Sequence, residues 1–247
     1  MLKPVKQPLF SSLVIRANSL FMKKLIWLAI WIMSACYVQA QETETRQIGS
    51  FKGVRASEAV DVYLKKGEKE SLKVEATGTS LSNVLTEIAG TTLRIHMRDG
   101  SYKNRNVKVY VTYVNLEKIS ASSAANVFSE GSVKCTSMTI SASSAGSVEV
   151  ALEADHVMVD ASSAGDAVLE GKTNSLEVEV SSAGSVDAYS LESASVTASA
   201  SSAGSAKVNV TKELEAQASS GGSIRFRGNP MKTNTDSSSG GSVKKSS

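Results

Sequence analysis

Two carboxylates converging on one face could cleave a glycosidic bond, and Glu149 and Asp187 are the acids whose positions invite that test. They occupy the same place in two copies of one phrase, SSAGSVEV and SSAGSVDA, with Val168 in that place in the copy between. If equivalent residues stack at the strand spacing, the two acids stand about 9.6 Å apart. That exceeds the roughly 5 Å of a retaining pair and lies at the upper limit of an inverting one. A solvated charged face is the simpler reading. Asp155, His156, Asp160 and Asp166 lie close in sequence but fall on both sides of a turn, so metal ligation is not expected from them. His96 alternates with Ile95 and Met97 and reads as an exposed strand residue, and Cys135 reads as a small side chain on a β surface. The sequence has no Ser–His–Asp set, no CxxC pair and no glycine-rich phosphate loop. The expectation is a non-enzymatic chain with no catalytic residue, no cofactor and no metal.

The chain has 247 residues with 41% hydrophobic and only 5% aromatic residues, so its core must be built from Val, Ile, Leu and Ala. Residues 1–40 read as an N-terminal extension followed by a secretory signal. The stretch MKKLIWLAIWIMSACYVQA, starting at Met22, has two lysines, an apolar run and Val38 and Ala40 at the −3 and −1 positions of a cleavage site. The apolar run is short for a membrane span. Acylation at Cys36, behind the degenerate lipobox MSAC, is the rival reading. All five basic residues of this segment leave with it, changing 27 basic against 24 acidic residues to 22 against 24. No excess of positive charge remains to recruit nucleic acid. The expected location is outside the cytoplasm, in the periplasm, on the outer-membrane surface or extracellular.

What positions these residues is a repeat. Copies of the phrase begin at Ser122, Ser143, Ser162, Ser181, Ser201, Ser219 and Ser238, at spacings of 18–21 residues. A fixed period of this size means a solenoid. One column past the phrase reads Val127, Val148, Ala167, Val186, Ala206, Ile224 and Val243. A column before it reads Ile119, Ile140, Val159, Val178, Ala198, Ala216 and Thr235, and polar residues alternate with both. Period-two alternation on both sides of a small-residue turn predicts strand, turn, strand and a polar return such as EGKTNS at 170–175. Because every copy runs the same way, equivalent strands pair in parallel. The fold class is all-β, a right-handed parallel β-helix, or β-solenoid, about 29 Å long over the regular repeats. Gly146, Gly165, Gly184 and Gly204, with Gly221 and Gly240 in the last copies, are expected to hold the turns, the first four through a positive φ.

Residues 41–46 read as a linker, 47–120 as irregular coils closing the N-terminal end and 121–247 as the regular array, a small separate β domain being the alternative for the first half. In that half, ASEAVDV at 56–62 is a degenerate copy of the phrase, LSNVLTEI suggests a short helical turn, and NVKVYVTYV at 106–114 is a long strand. FKGVRASEAVDVYLKKGEKESLKVEA, followed by TTLRIHM and the tandem phrases, resembles the head GIN domain family, auto-transporter adhesins of Bacteroidota-type bacteria. The resemblance spans roughly residues 47–245 and implies a secreted β-helical domain of adhesin type, with no catalytic residue to carry over. For recognition, the stacking candidates are Tyr63, Tyr102, Tyr110, Tyr113 and Tyr189, with Tyr110 and Tyr113 on opposite faces. Arg225, Arg227, Lys232, Lys244 and Lys245 make the C-terminal end basic. The expected partner is a surface glycan or protein, contacted through Tyr110, Arg225 and Arg227. A polysaccharide-active enzyme and a rod that self-associates through its end rungs are the other readings.

Overall fold

In the regular copies the apolar columns and the ladder partners coincide. The structure, a computed structural model, describes residues 42–246. The expected export segment, its cleavage point and Cys36 lie outside the described residues. Val127, Val148, Ala167, Val186, Ala206, Ile224 and Val243 are successive partners across β9 (Asn126–Ala142), β10 (Ser147–Ala161), β11 (Asp166–Val180), β12 (Ser185–Ala200), β13 (Ser205–Ala218), β14 (Ser223–Arg227) and β16 (Ser242–Lys245). The column before the turn stacks in the same way, from Ile119 in β8 (Lys118–Ala121) to Thr235 in β15 (Lys232–Ser237). All these pairings are parallel, and the inward residues form one continuous core. The fold is an all-β parallel solenoid.

Two sequence expectations change here. The segment read as a polar return is strand throughout, since β10 and β11 run unbroken from one turn to the next. Its inward residues include Leu152 and Leu191, with the exposed Gly171 between them on the ladder, and then Ala154, Thr173 and Ser193. Buried hydroxyls satisfy themselves locally: Thr173 donates to the Ser175 carbonyl at 3.0 Å, and Ser193 to the Leu191 carbonyl at 3.3 Å. Small and hydroxylic inward residues hid a strand whose outward residues are charged.

The second change concerns the turns. Gly146, Gly165, Gly184 and Gly204 do not take a positive φ; the two residues before each of them do, as in Ser144 (φ 49°) and Ala145 (φ 59°). With the Gly146 amide donating to the Ser143 carbonyl at 2.8 Å, this is a type I′ turn. A left-handed conformation costs a residue with a side chain about 1–2 kcal/mol. The stack offsets that cost, because each flipped amide bonds the next rung: Ala145 to Ser163, Ala164 to Ser182 and Ala183 to Ser202, all at 3.1 Å. Glycine follows for want of space. A Cβ on Gly165 would lie 2.2 Å from the Ala142 carbonyl oxygen of the preceding rung. Only Gly221 (φ 75°) and Gly240 (φ 76°), which replace the alanine, fit the expected reason.

The N-terminal coils stack out of chain order. The chain first lays a coil from β2 (Gly53–Ala56), a turn with Glu58 and Ala59 at positive φ, and β3 (Asp61–Lys66). It next adds β6 (Thr92–Met97) and β7 (Asn106–Tyr113) behind that coil, then crosses to β8 and β9 in front of it. Two antiparallel additions sit beside the hindmost coil: β5 (Val84–Ala89) on β6 and β4 (Ser71–Thr77) on β7. A 3₁₀ turn at Leu81–Asn83 precedes β5. The expected linker is strand β1 (Glu42–Arg46), antiparallel to β4. The open edge of β4 gives it hydrogen-bond partners, and the Arg46 guanidinium anchors it by donating to the Val84 and Leu81 carbonyls at 2.6 and 2.9 Å.

Candidate functional site

A concavity of about 510 Å³ runs as a groove along the middle segment of β9–β13. Its floor follows from the small column of Cys135, Ala154 and Thr173, set between Val133 and Leu152 on one side and Val157 and Leu176 on the other. One wall is a ladder of alternating charge, Lys134, Glu153, Lys172 and Glu192, each opposite the next. Lys134 and Glu153 are 2.7 Å apart, and the lysine's hydrogen bond and charge hold the Glu153 carboxyl below its ordinary range. Both are largely exposed, so the pair adds little to stability. Across the floor, Asn174 donates to the Asp155 carboxylate at 2.9 Å. Cys135 is half-buried, and burial, then Glu117 and Asp155, push its thiol above the ordinary value. A thiol held protonated in this way is a poor nucleophile.

The outward column after the turn forms a second feature. Ladder partners in spatial order are Lys73, Tyr110, Tyr63, Phe128, Glu149, Val168, Asp187, Lys207, Arg225 and Lys244. The rings of Tyr110, Tyr63 and Phe128 stack at centroid distances of 5.2 and 5.3 Å. The column then turns acidic and ends basic. Tyr110 and Arg225 thus share a face but stand seven strand steps apart, about 34 Å, so they do not form one contact site. Arg227 lies against the Tyr189 ring, 3.9 Å from its centroid, and the Tyr189 hydroxyl donates to Ser246 at 2.8 Å. Tyr113 points inward and is buried, opposite in sense to Tyr110.

Glu149 and Asp187 are outward and separated by Val168, but Asp187 is bonded to the Lys207 ammonium at 2.8 Å. The metal candidates diverge: Asp155 bonds Asn174, Asp160 stands between Ser141 and Glu179, and Asp166 between Ser147 and Ser185. His96 is half-buried, with Nδ1 3.1 Å from the Met97 carbonyl and Nε2 3.6 Å from Glu87. Sequence reasoning missed the groove, although its Lys–Glu alternation recurs at the repeat period, and missed the ring stack, whose members come from three separated segments.

No curated protein matches the sequence. Among solved structures, a putative adhesin from Bacteroides fragilis superposes with a TM-score of 0.76 at 19% identity, covering 84% of this chain and 98% of that one. A putative adhesin from Parabacteroides merdae gives 0.67 at 16% identity, over 85% of this chain and 98% of that one. A protein from Parabacteroides distasonis titled a putative lipid binding protein gives 0.64 at 17% identity, with 85% and 98% covered. At these identities the likeness establishes the fold. The family is set by the sequence itself: the model described as "Putative auto-transporter adhesin, head GIN domain" matches residues 50–230, and the chain belongs to that family.

Proposed function

We propose that this chain is an exported, non-enzymatic adhesin-type binding protein of the bacterial envelope, and that the groove over Cys135, Ala154 and Thr173 receives an extended segment of a protein ligand. The alternating wall of Lys134, Glu153, Lys172 and Glu192 carries this reading. Charges of both signs at the strand spacing suit a polypeptide with its own mixed charges better than a polyanion. A glycan is the less favoured occupant, because no aromatic face is among the groove's lining residues for a sugar ring to stack on. Lys134 and Glu153 are paired with each other, Asp155 accepts from Asn174 and Cys135 is held protonated, which supports binding over chemistry. Membership of an adhesin family supports the export, as does the N-terminal sequence pattern.

The experiment has two arms. Fractionation with protease shaving of intact cells is expected to find the chain outside the cytoplasm. Purified protein is expected to bind a subset of immobilised mucins and matrix proteins, and Lys134→Glu with Lys172→Glu, which makes the wall uniformly acidic, to weaken that binding about tenfold. A cytoplasmic location, or equal binding by the charge-reversed variant, overturns the proposal.

A further inference from the structure

The two ends of the ring stack are chemically matched, but only one of them is complete. At the Tyr110 end, the Lys73 ammonium lies 5.6 Å from the ring centroid and is paired with Glu75 at 2.6 Å. Aromatic face, ammonium and carboxylate form a closed trio, and Glu75 holds the lysine's pKa above its ordinary value through hydrogen bond and charge. At the other end, Tyr63 covers one face of Phe128. Beyond Phe128 lies a pocket of about 100 Å³, lined by Glu149, Val150 and Ala151 of the next rung and by Val168 and Glu170 of the one after. Val168 is one of the few exposed large apolar side chains, at 38%. Glu149 and Glu170 are exposed, and neither has an ion-pair partner among the described residues. The aromatic face and the carboxylates are present, and no lysine among the described residues completes them.

We propose that this pocket binds the ammonium group of a lysine side chain from a protein partner, seated on Phe128 with Glu149 and Glu170 as its hydrogen-bond acceptors and Val168 against its methylenes. The volume sets the size of the guest, since drug-sized ligands need about 300 Å³ or more. The carboxylates set its chemistry, because an ammonium donates three N–H groups whereas a quaternary ammonium donates none. Aromatic attraction for a partly desolvated cation adds to their pull. The inference extends the protein-ligand reading to a specific side chain, but it uses residues outside the groove. If the groove reversal Lys134→Glu/Lys172→Glu changes nothing while this pocket still binds, the groove reading fails alone.

Nuclear magnetic resonance titration of the intact chain with Nα-acetyl-lysine amide tests it, following the Phe128 ring and the Val168 methyls. Saturable shifts are expected, with a dissociation constant of about 10 mM, as suits a single side chain. Nα-acetyl-norleucine amide, of similar shape but uncharged, is expected to give none. Glu149→Gln with Glu170→Gln is expected to weaken lysine binding about tenfold. Both substituted positions are exposed, and an unchanged thermal midpoint shows that the variant is folded. The proposal is overturned by norleucine shifts equal to those of lysine, by undiminished binding in the double variant, by tighter binding of choline, or by no saturable shift up to about 100 mM lysine amide.

Discussion

The turn at Ser162–Gly165 and the turn at Ser122–Ala125 have the same backbone and differ at the fourth residue. Both place their central pair in the left-handed region, Ser163 and Ala164 at φ 51° and 59°, Ser123 and Ala124 at φ 52° and 60°. From the copy at Ser143 onward the fourth residue is glycine, whose added Cβ would strike the carbonyl of the preceding rung. In the coils formed by β2–β3 and by β8–β9 the fourth residues are Val60 and Ala125, and both side chains are fully buried in the core. The N-terminal coils therefore leave room at this corner and fill it with apolar atoms, whereas the regular rungs close the corner by backbone contact. Uniform pitch requires glycine at this corner, and the irregular end gains a larger core from relaxing it.

The largest expected effect tests that contrast directly. Gly165→Ala forces a Cβ to within 2.2 Å of the Ala142 carbonyl oxygen and 2.4 Å of its carbon, and both are backbone atoms of the adjoining rung. Overpacking against atoms that cannot rotate away should cost about 3 kcal/mol. The reverse exchange, Ala125→Gly, should cost about 1 kcal/mol, through the lost methyl burial and the freer unfolded chain. Urea unfolding followed by far-ultraviolet circular dichroism measures both. Equal losses would show that the two corners are packed alike, and the contrast would fall.

An intermediate effect isolates the left-handed pair. Ala145 holds φ 59° while its amide donates to Ser163 at 3.1 Å. Ala145→Gly keeps that bond and removes the side-chain penalty of about 1–2 kcal/mol, while adding about 0.4–1 kcal/mol of unfolded-state entropy. A net gain of about 0.5 kcal/mol is expected in the same urea experiment. A loss would mean that the alanine methyl makes a stacking contribution larger than the conformational penalty.

How much of this was legible follows from how locally each feature is encoded. The apolar columns through Val148 and Val159 were readable because period-two alternation and a period near 19 residues fix register together. Glycine at Gly165 was readable as essential, but sequence alone does not distinguish a demand for positive φ from a demand for empty space. The middle segment was misread because the inward Thr173 and Ser193 are not the apolar residues that mark a buried strand, and Gly171, opposite the buried Leu152, is exposed. The stacking order β6–β2–β8 departs from chain order, so the Tyr110–Tyr63–Phe128 stack has no sequence signature. Arg225 and Arg227 are exposed, but nothing local in the sequence shows that the Tyr189 ring already occupies the Arg227 guanidinium face.

The smallest effect is expected where the stack ends among the described residues. Gly240 has φ 76°, and an added Cβ there would meet nothing within 4 Å. Space is therefore no obstacle to Gly240→Ala, and only the left-handed penalty of about 1–2 kcal/mol opposes it. In the inner rungs that penalty is spread through a turn bonded on both sides, as Ala145 is to Ser163 and Ser143 to Ala121. The turn at Ser238 is bonded to the rung behind it, through Ser238 to Ala218 at 2.9 Å and Gly221 to Ser239 at 3.2 Å. The strand leading into it, Lys232–Ser237, is exposed along its whole length. Such a rung opens locally before the rest unfolds, so the penalty falls on local opening and leaves the global transition almost unmoved. Amide hydrogen exchange should become faster by about tenfold in 232–245 and stay unchanged in β10–β12, with the urea midpoint constant. A drop in that midpoint as large as that of Gly165→Ala would mean that the last rung folds as one unit with the core, and that the solenoid's cooperativity runs undiminished to its exposed end.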